Sequence, residues 1–234
     1  MHQPRNADLH IQVLRALLSH GVLLGLLKDN MATSIPSLYK GGKRAHIIWE
    51  ESEVRRWQGC TNQALLDGVN LCRLTGLRRA DLVNITRAAI KQHALVWQTS
   101  KSGATTTVSV PILPELRLQL DTLATRLRVA GVETILVNGF GRQWTPSGFT
   151  SSFTTERARL NLPNKHLHDF RGTFATELCL AGETDETIAG IVGWSAKEVA
   201  TIRRLYVDQA ATVVAMGERL ANGSVKITVK PPDE

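Results

Sequence analysis

Thr75-Gly76-Leu77-Arg78-Arg79-Ala80-Asp81-Leu82 is the stretch on which the fold turns. Helical spacing of apolar residues over Asn62–Leu74 ends at Gly76, a residue suited to the left-handed turn that closes a helix. An arginine, Arg78, then sits just past the glycine-ended helix. Upstream, Glu50–Trp57 reads as a shorter helix. Downstream, Leu95–Thr99 and Thr105–Val110 are rich in β-branched residues and flank Ser100-Lys101-Ser102-Gly103, the signature of a hairpin with Lys101 at its tip. Pro111 and Pro114 are expected to stop it, Leu116–Val129 to form an amphipathic helix closed by Gly131, and Thr134–Val137 a short strand. After a loop over Gly139–Trp144, a helix over Pro146–Leu160 begins with proline in its first turn. Leu167–Leu180, Thr184–Ile191, Ala196–Leu205 and Asp208–Ala221 read as four more helices, and Val225–Val229 as a possible added strand. The class is α+β, mainly helical, with one small antiparallel β-sheet.

Bulk properties narrow the partners. The chain has 234 residues, 43% of them hydrophobic, enough for one sizeable core. A net charge of +7 favours a polyanionic partner, although a basic solvated surface has the same composition. Cys60, Cys72 and Cys179 are odd in number and far apart, which fits reduced thiols in the cytoplasm better than disulfides or a zinc site. Residues 9–27 are the only membrane suspect, and His10, Gln12, Arg15, Ser19 and His20 interrupt them. That stretch lacks the run of about 20 apolar residues a span requires.

Three further segments belong with the first. They are the hairpin with Lys101, the run His168-Asp169-Phe170-Arg171-Gly172-Thr173-Phe174, and Gly193-Trp194-Ser195 followed by Arg203-Arg204-Leu205-Tyr206. In order and wording they resemble the signature of the tyrosine recombinase, or phage integrase, family. That signature runs through a TGLR arginine, a hairpin lysine, an HxLR box, a GHS or GWS box and a C-terminal tyrosine. The resemblance covers about Trp49 to Ala221 and implies the catalytic-domain fold of that family.

The resemblance also implies roles. Attack on a phosphodiester builds negative charge on non-bridging oxygens, and guanidinium forks match that geometry. Arg78 and Arg171 would clamp the scissile phosphate, and Trp194 would donate its indole N–H to it. Tyr206 would be the nucleophile, and His168 would assist its proton transfer. Lys101 would protonate the leaving 5′-oxygen. Asp81 would hold an arginine or its loop in place. The product would be a 3′-phosphotyrosine bond, made without metal or cofactor. Double-stranded DNA would be the partner, with the protein acting as a homotetramer on paired sites.

Each residue taken singly has a plainer reading. Tyr206 suits a half-buried aromatic, Trp194 a core residue, and His168 a polar helix start. Arg78, Arg79 and Asp81 suit capping, and Lys101 a solubilising charge. His93 and His166 read as structural or exposed, and Lys91 lies outside the hairpin tip.

Two departures accompany the resemblance. The interval from Trp194 to Tyr206 is about one helical turn longer than the commonest family spacing. At the N-terminus, residues 1–46 resemble only the last helix of a core-binding domain and its linker. Residues 47–221 then form the catalytic domain and 222–234 a tail. A fragment or prophage remnant is therefore expected. A non-catalytic DNA-binding remnant and a type IB topoisomerase-like activity stand as alternatives to recombination.

Overall fold

Helix ends decide where this chain places its polar side chains. The computed structural model describes residues 4–39, 47–101, 104–207, 214 and 217, apart from the side chains of 100–106. The chain divides into two units, Met1–Lys43 and Arg44–Glu234.

The first unit holds helix α1 (Pro4–Leu23), a single turn over Met31–Ser34, and the irregular segment after it. Sequence spacing predicts this helix over residues 8–27. It starts earlier because proline tolerates the first turn, and it stops earlier because Gly25 takes φ 70°. The returning segment is held by polar bonds. Asp8 accepts from the N–H groups of Leu38 (2.9 Å) and Tyr39 (2.7 Å) and from the Ser37 hydroxyl. The Ser37 hydrogen bond, then those of Leu38 and Tyr39, lower the Asp8 pKa. None of the α1 residues is buried, and Leu9, Val13 and Leu17 expose their apolar stripe.

The second unit is built on α3 (Gln63–Thr75). Asn62 starts it by accepting the Leu65 N–H (3.1 Å), and Gly76 ends it at φ 59°. Leu65, Val69, Leu71 and Cys72 form its buried face. Against this face pack α4 (Arg79–Asn84), α5 (Pro114–Ala124), α6 (Pro146–Arg159) and α7 (Phe170–Leu180). Preceding α3, helix α2 (Glu51–Arg56) is shorter than expected, since Trp57 turns inward and is buried. The six-residue α4 has no counterpart in the sequence reading; Arg78 is its N-cap residue.

The hairpin comprises β1 (Ala94–Lys101) and β2 (Ala104–Pro111), paired antiparallel with Ala94 opposite Pro111 and Lys101 opposite Ala104. The strands thus run further toward the tip than sequence propensity indicates. The hairpin stops at Pro111 as expected, and Pro114 occupies the first turn of α5, two residues before the expected start at Leu116. That helix ends at Ala124, five residues before the expected Val129. Arg128 folds back and donates to Leu123 O (2.8 Å), a carbonyl that another helical turn would need, and to Thr134 O (2.5 Å) and Ile135 O (3.1 Å) in the segment that follows. Thr134–Val137 forms no strand; Thr134 makes an isolated bridge to Thr86.

An aromatic box locks the segment entering α7. Trp49 stacks on Phe170 (4.9 Å between centroids), and Trp57 stacks on Phe153 of α6 (4.8 Å). The Trp49 N–H donates to Thr173 Oγ1 (2.8 Å), and its indole donates to His166 O (3.1 Å). The expected helix over Leu167–Leu180 therefore begins as a 3-10 turn over Leu167–Asp169 before α7 proper. Helices α8 (Asp185–Val192) and α9 (Ala196–Tyr206) close the described chain. Thr184 caps α8, and Ser195 with Glu198 forms a reciprocal cap on α9. The expected helix over Asp208–Ala221 and strand over Val225–Val229 lie outside the described residues, Val214 and Gly217 apart.

Candidate active site

Two helix C-termini aim their carbonyls at two arginines. Arg171, on the first turn of α7, donates to Gly76 O at the end of α3 and to Val192 O at the end of α8. Arg78 donates to Gly193 O (3.2 Å), at the left-handed cap of α8. Unpaired terminal carbonyls carry the negative end of the helix dipole, so these are favourable seats for cations. Gly76 and Gly193 both sit at φ 59°, where a side chain is strained. At Gly76 a Cβ would also lie 2.7 Å from the Phe174 ring, and at Gly193 one would lie 3.2 Å from Arg78 Nη2.

The arginines are under-compensated. Among the described residues neither forms an ion pair with a carboxylate, and Arg171 Nε is buried without a partner. Arg171 is 4% exposed; burial first, and the neighbouring Arg78 charge second, pull its pKa down to about 10. Even so it remains cationic at neutral pH. Its guanidinium lies 5.6 Å from the centre of the Trp194 ring. Asp81 reaches Arg78 indirectly. Thr99 Oγ1 lies 3.0 Å and 3.1 Å from the two Asp81 oxygens and 3.3 Å from Arg78 Nη1. Its hydroxyl donates to the carboxylate and accepts from the guanidinium.

Sequence reasoning misses Thr99. Strand alternation carries the signal, since Leu95 and Thr99 share a face of β1 and both are buried. Thr99 lies two residues before Lys101, so it ties the base of the hairpin tip to the arginine pair. The Lys101 side chain lies outside the described residues.

The remaining candidates are His168 and Tyr206. His168, exposed on the turn before α7, lines a cavity of about 430 Å³ that also takes in Arg79. Tyr206, the last residue of α9, is half-buried and packs against the core. Burial raises its phenol pKa. Arg203, one turn earlier, donates to Asp185 Oδ1 (2.7 Å), Cys179 O (3.3 Å) and Glu183 O. Those bonds anchor the end of α9 to α7 and to the start of α8.

The Cys60, Cys72 and Cys179 thiols are unpaired. No group of three His, Cys, Asp or Glu residues among those described is placed to hold a metal ion. No described helix is long and apolar enough to cross a membrane.

This arrangement of helices around one hairpin is the fold of the tyrosine-recombinase catalytic domain, as solved integrase structures show. A lambda integrase fragment in a dimer bound to a COC′ core site matches with TM-score 0.69 and 17% identity, over 88% of this chain and 75% of that one. A longer lambda integrase chain, also in a dimer on a COC′ core site, matches with TM-score 0.64 and 16% identity over 97% of this chain. This chain spans 63% of that chain's length. The Tn1549 transposon integrase in complex with circular intermediate DNA matches with TM-score 0.63 and 15% identity, over 93% of this chain and 80% of that one. A search of curated protein sequences finds no match. Residues 48–212 match the sequence pattern of the phage integrase family, and the chain belongs to that family.

Proposed function

We propose that this chain carries the catalytic part of a site-specific DNA recombinase. The observation that carries the reading is the pair Arg78 and Arg171, held on helix-end carbonyls with no carboxylate in ion-pair contact among the described residues. A phosphodiester supplies the missing negative charge, and its pentavalent transition state supplies more.

In the proposed reaction the Tyr206 oxygen attacks the scissile phosphorus while His168 assists removal of the phenolic proton. The bond from phosphorus to the 5′-oxygen breaks, and Lys101 protonates that oxygen. Arg78 and Arg171 hold the non-bridging oxygens, with Trp194 beside them and Asp81 steadying Arg78 through Thr99. The 3′-phosphotyrosine conserves the ester bond, so the 5′-hydroxyl of another strand restores a diester and releases the phenol. Acting in this way on two sites calls for a tetramer on DNA, in the cytoplasm, with residues 1–46 as the end of a core-binding domain and its linker.

A nicked duplex that loses a short 5′-hydroxyl fragment on cleavage tests the reading. Wild-type protein is expected to accumulate a covalent adduct on the 3′-phosphate, and Tyr206→Phe to form none. Adducts that persist in Tyr206→Phe would remove Tyr206 from the chemistry.

One observation favours a second reading, a DNA-binding relative without cleavage: burial raises the Tyr206 pKa and so disfavours the attacking phenolate. This reading predicts salt-steep duplex binding with no adduct on any nicked substrate. A topoisomerase-like activity, the remaining alternative, predicts relaxation of supercoils without recombinant products.

A further inference from the structure

We propose that the cavity beside the turn Leu167–Asp169 is a second anion subsite, which takes the DNA-backbone phosphodiester next to the one held by Arg78 and Arg171. The proposal rests on the reading of this chain as a DNA-cleaving enzyme and adds Arg79 and Arg157, which lie outside its catalytic set, to a cavity that His168 of that set also lines.

The cavity, about 430 Å³, lies among the start of α4, one face of α6 and the turn before α7. Arg79 and Arg157 line it together with His166 and His168, and no carboxylate is among the lining residues. Neither arginine has an acidic partner among the described residues. Arg79 donates only to the Thr150 hydroxyl (3.0 Å), and Arg157 to Lys165 O (2.6 Å). Arg157 Nε is buried and finds no acceptor. Two guanidiniums in one carboxylate-free cavity repel each other, and a bound anion relieves that repulsion. Buried donors without partners are uncommon enough to need an explanation, and a missing ligand is one.

Position selects the ligand. Arg78 and Arg79 are consecutive, yet their guanidiniums diverge, one toward Gly193 and the other toward Thr150 on α6. His168 lines this cavity while Arg171, three residues on, serves the first site. The two sites therefore draw on the same two segments, Arg78–Arg79 and His168–Arg171, so one DNA strand passing those segments can serve both. Phe153 and Leu167 give the cavity an apolar floor, which suits deoxyribose carbons beside a singly charged diester better than a hydrated dianion.

The test is salt-dependent binding of an arbitrary duplex of about 20 base pairs, with wild type, Arg79→Gln, Arg157→Gln and the control Arg55→Gln. Arg55 is exposed on α2 and paired with Glu51. Losing one phosphate contact should flatten the slope of log K against log salt by about 0.9, so each cavity variant loses about threefold less affinity than wild type between roughly 50 and 200 mM salt. Arg55→Gln should leave the slope unchanged. Arg79 is exposed, so its variant should fold even if Arg157→Gln does not. Imidazole NMR shifts of His166 and His168 supply the second readout, with dimethyl phosphate and inorganic phosphate as probes. Preference for the diester supports the proposal; tight inorganic phosphate binding with unaltered duplex slopes makes this a free-anion site and overturns it. Slopes equal to wild type in both cavity variants, in protein that still forms the tyrosine adduct, overturn the subsite alone. No duplex binding by wild type overturns the subsite and the proposed function together.

Discussion

Arg171 shows how one residue unites folding with chemistry. Its Nη groups join the ends of α3 and α8, and so fix the gap between two helices. The same contacts orient the guanidinium that we assign to the phosphate. Truncation therefore confounds stability with catalysis, and a hydroxyl deletion nearby separates them. Thr99→Val should slow adduct formation by on the order of ten- to a hundredfold, the scale of a hydrogen bond to a charged group. Duplex affinity should change little, and Thr99→Ser should restore the rate. Equal losses in binding and rate would instead mean a displaced hairpin. Tyr206 gives a pH prediction. Burial raises its pKa, so at neutral pH the phenolate fraction lies below that of an ordinary phenol of pKa about 10. If His168 takes the proton, single-turnover adduct formation by His168→Ala should rise log-linearly between about pH 7 and 9, below the range in which Arg171 loses its charge, while wild type gains less from alkali. Parallel profiles for the two proteins would rule out that role.

At the scale of elements, helix caps place the site. Gly193 ends α8 and offers its carbonyl to Arg78, and a methyl group on Gly193 would lie only 3.2 Å from the guanidinium. Gly193→Ala should cost about 1–2 kcal/mol in stability from the left-handed backbone alone. Its adduct rate should fall further than that stability loss explains, because Arg78 must move; thermal melts and single-turnover assays measure the two. On α6, Glu156 is held by Arg159 first, with the Thr61 N–H adding a bond, and its pKa drops to about 2. An unfolded glutamate titrates at about 4.3, so the folded state gains stability above that pH and loses it as pH falls toward about 2. Glu156→Gln should therefore melt below wild type at neutral pH, with the difference closing in acid. A difference that stays constant in acid would show that charge is not its source.

For the whole molecule, the unit Arg44–Glu234 contains α2 to α9, the hairpin and every candidate site residue. A protein starting at Arg44 should unfold in one cooperative transition by circular dichroism, because its buried core, from Trp49 to Val207, lies within that unit apart from Ala32. Gradual, non-cooperative melting would mean that the first 43 residues are needed to complete the fold.

Much of this is legible in the chain because the signals are local. Asn62 and Gly76 mark the ends of α3, Ser195 with Glu198 marks the start of α9, and β-branched runs mark the hairpin. The order of the arginine, histidine, tryptophan and tyrosine segments points to the family, and so to the fold. Events spanning distant residues stay hidden: Arg128 ends α5 by capturing carbonyls up to Ile135, Thr99 links Asp81 to Arg78, and Arg79 meets Arg157 in one cavity. Periodicity and capping act within a few residues, whereas a guanidinium's choice among carbonyls depends on which helix ends packing has brought within its reach.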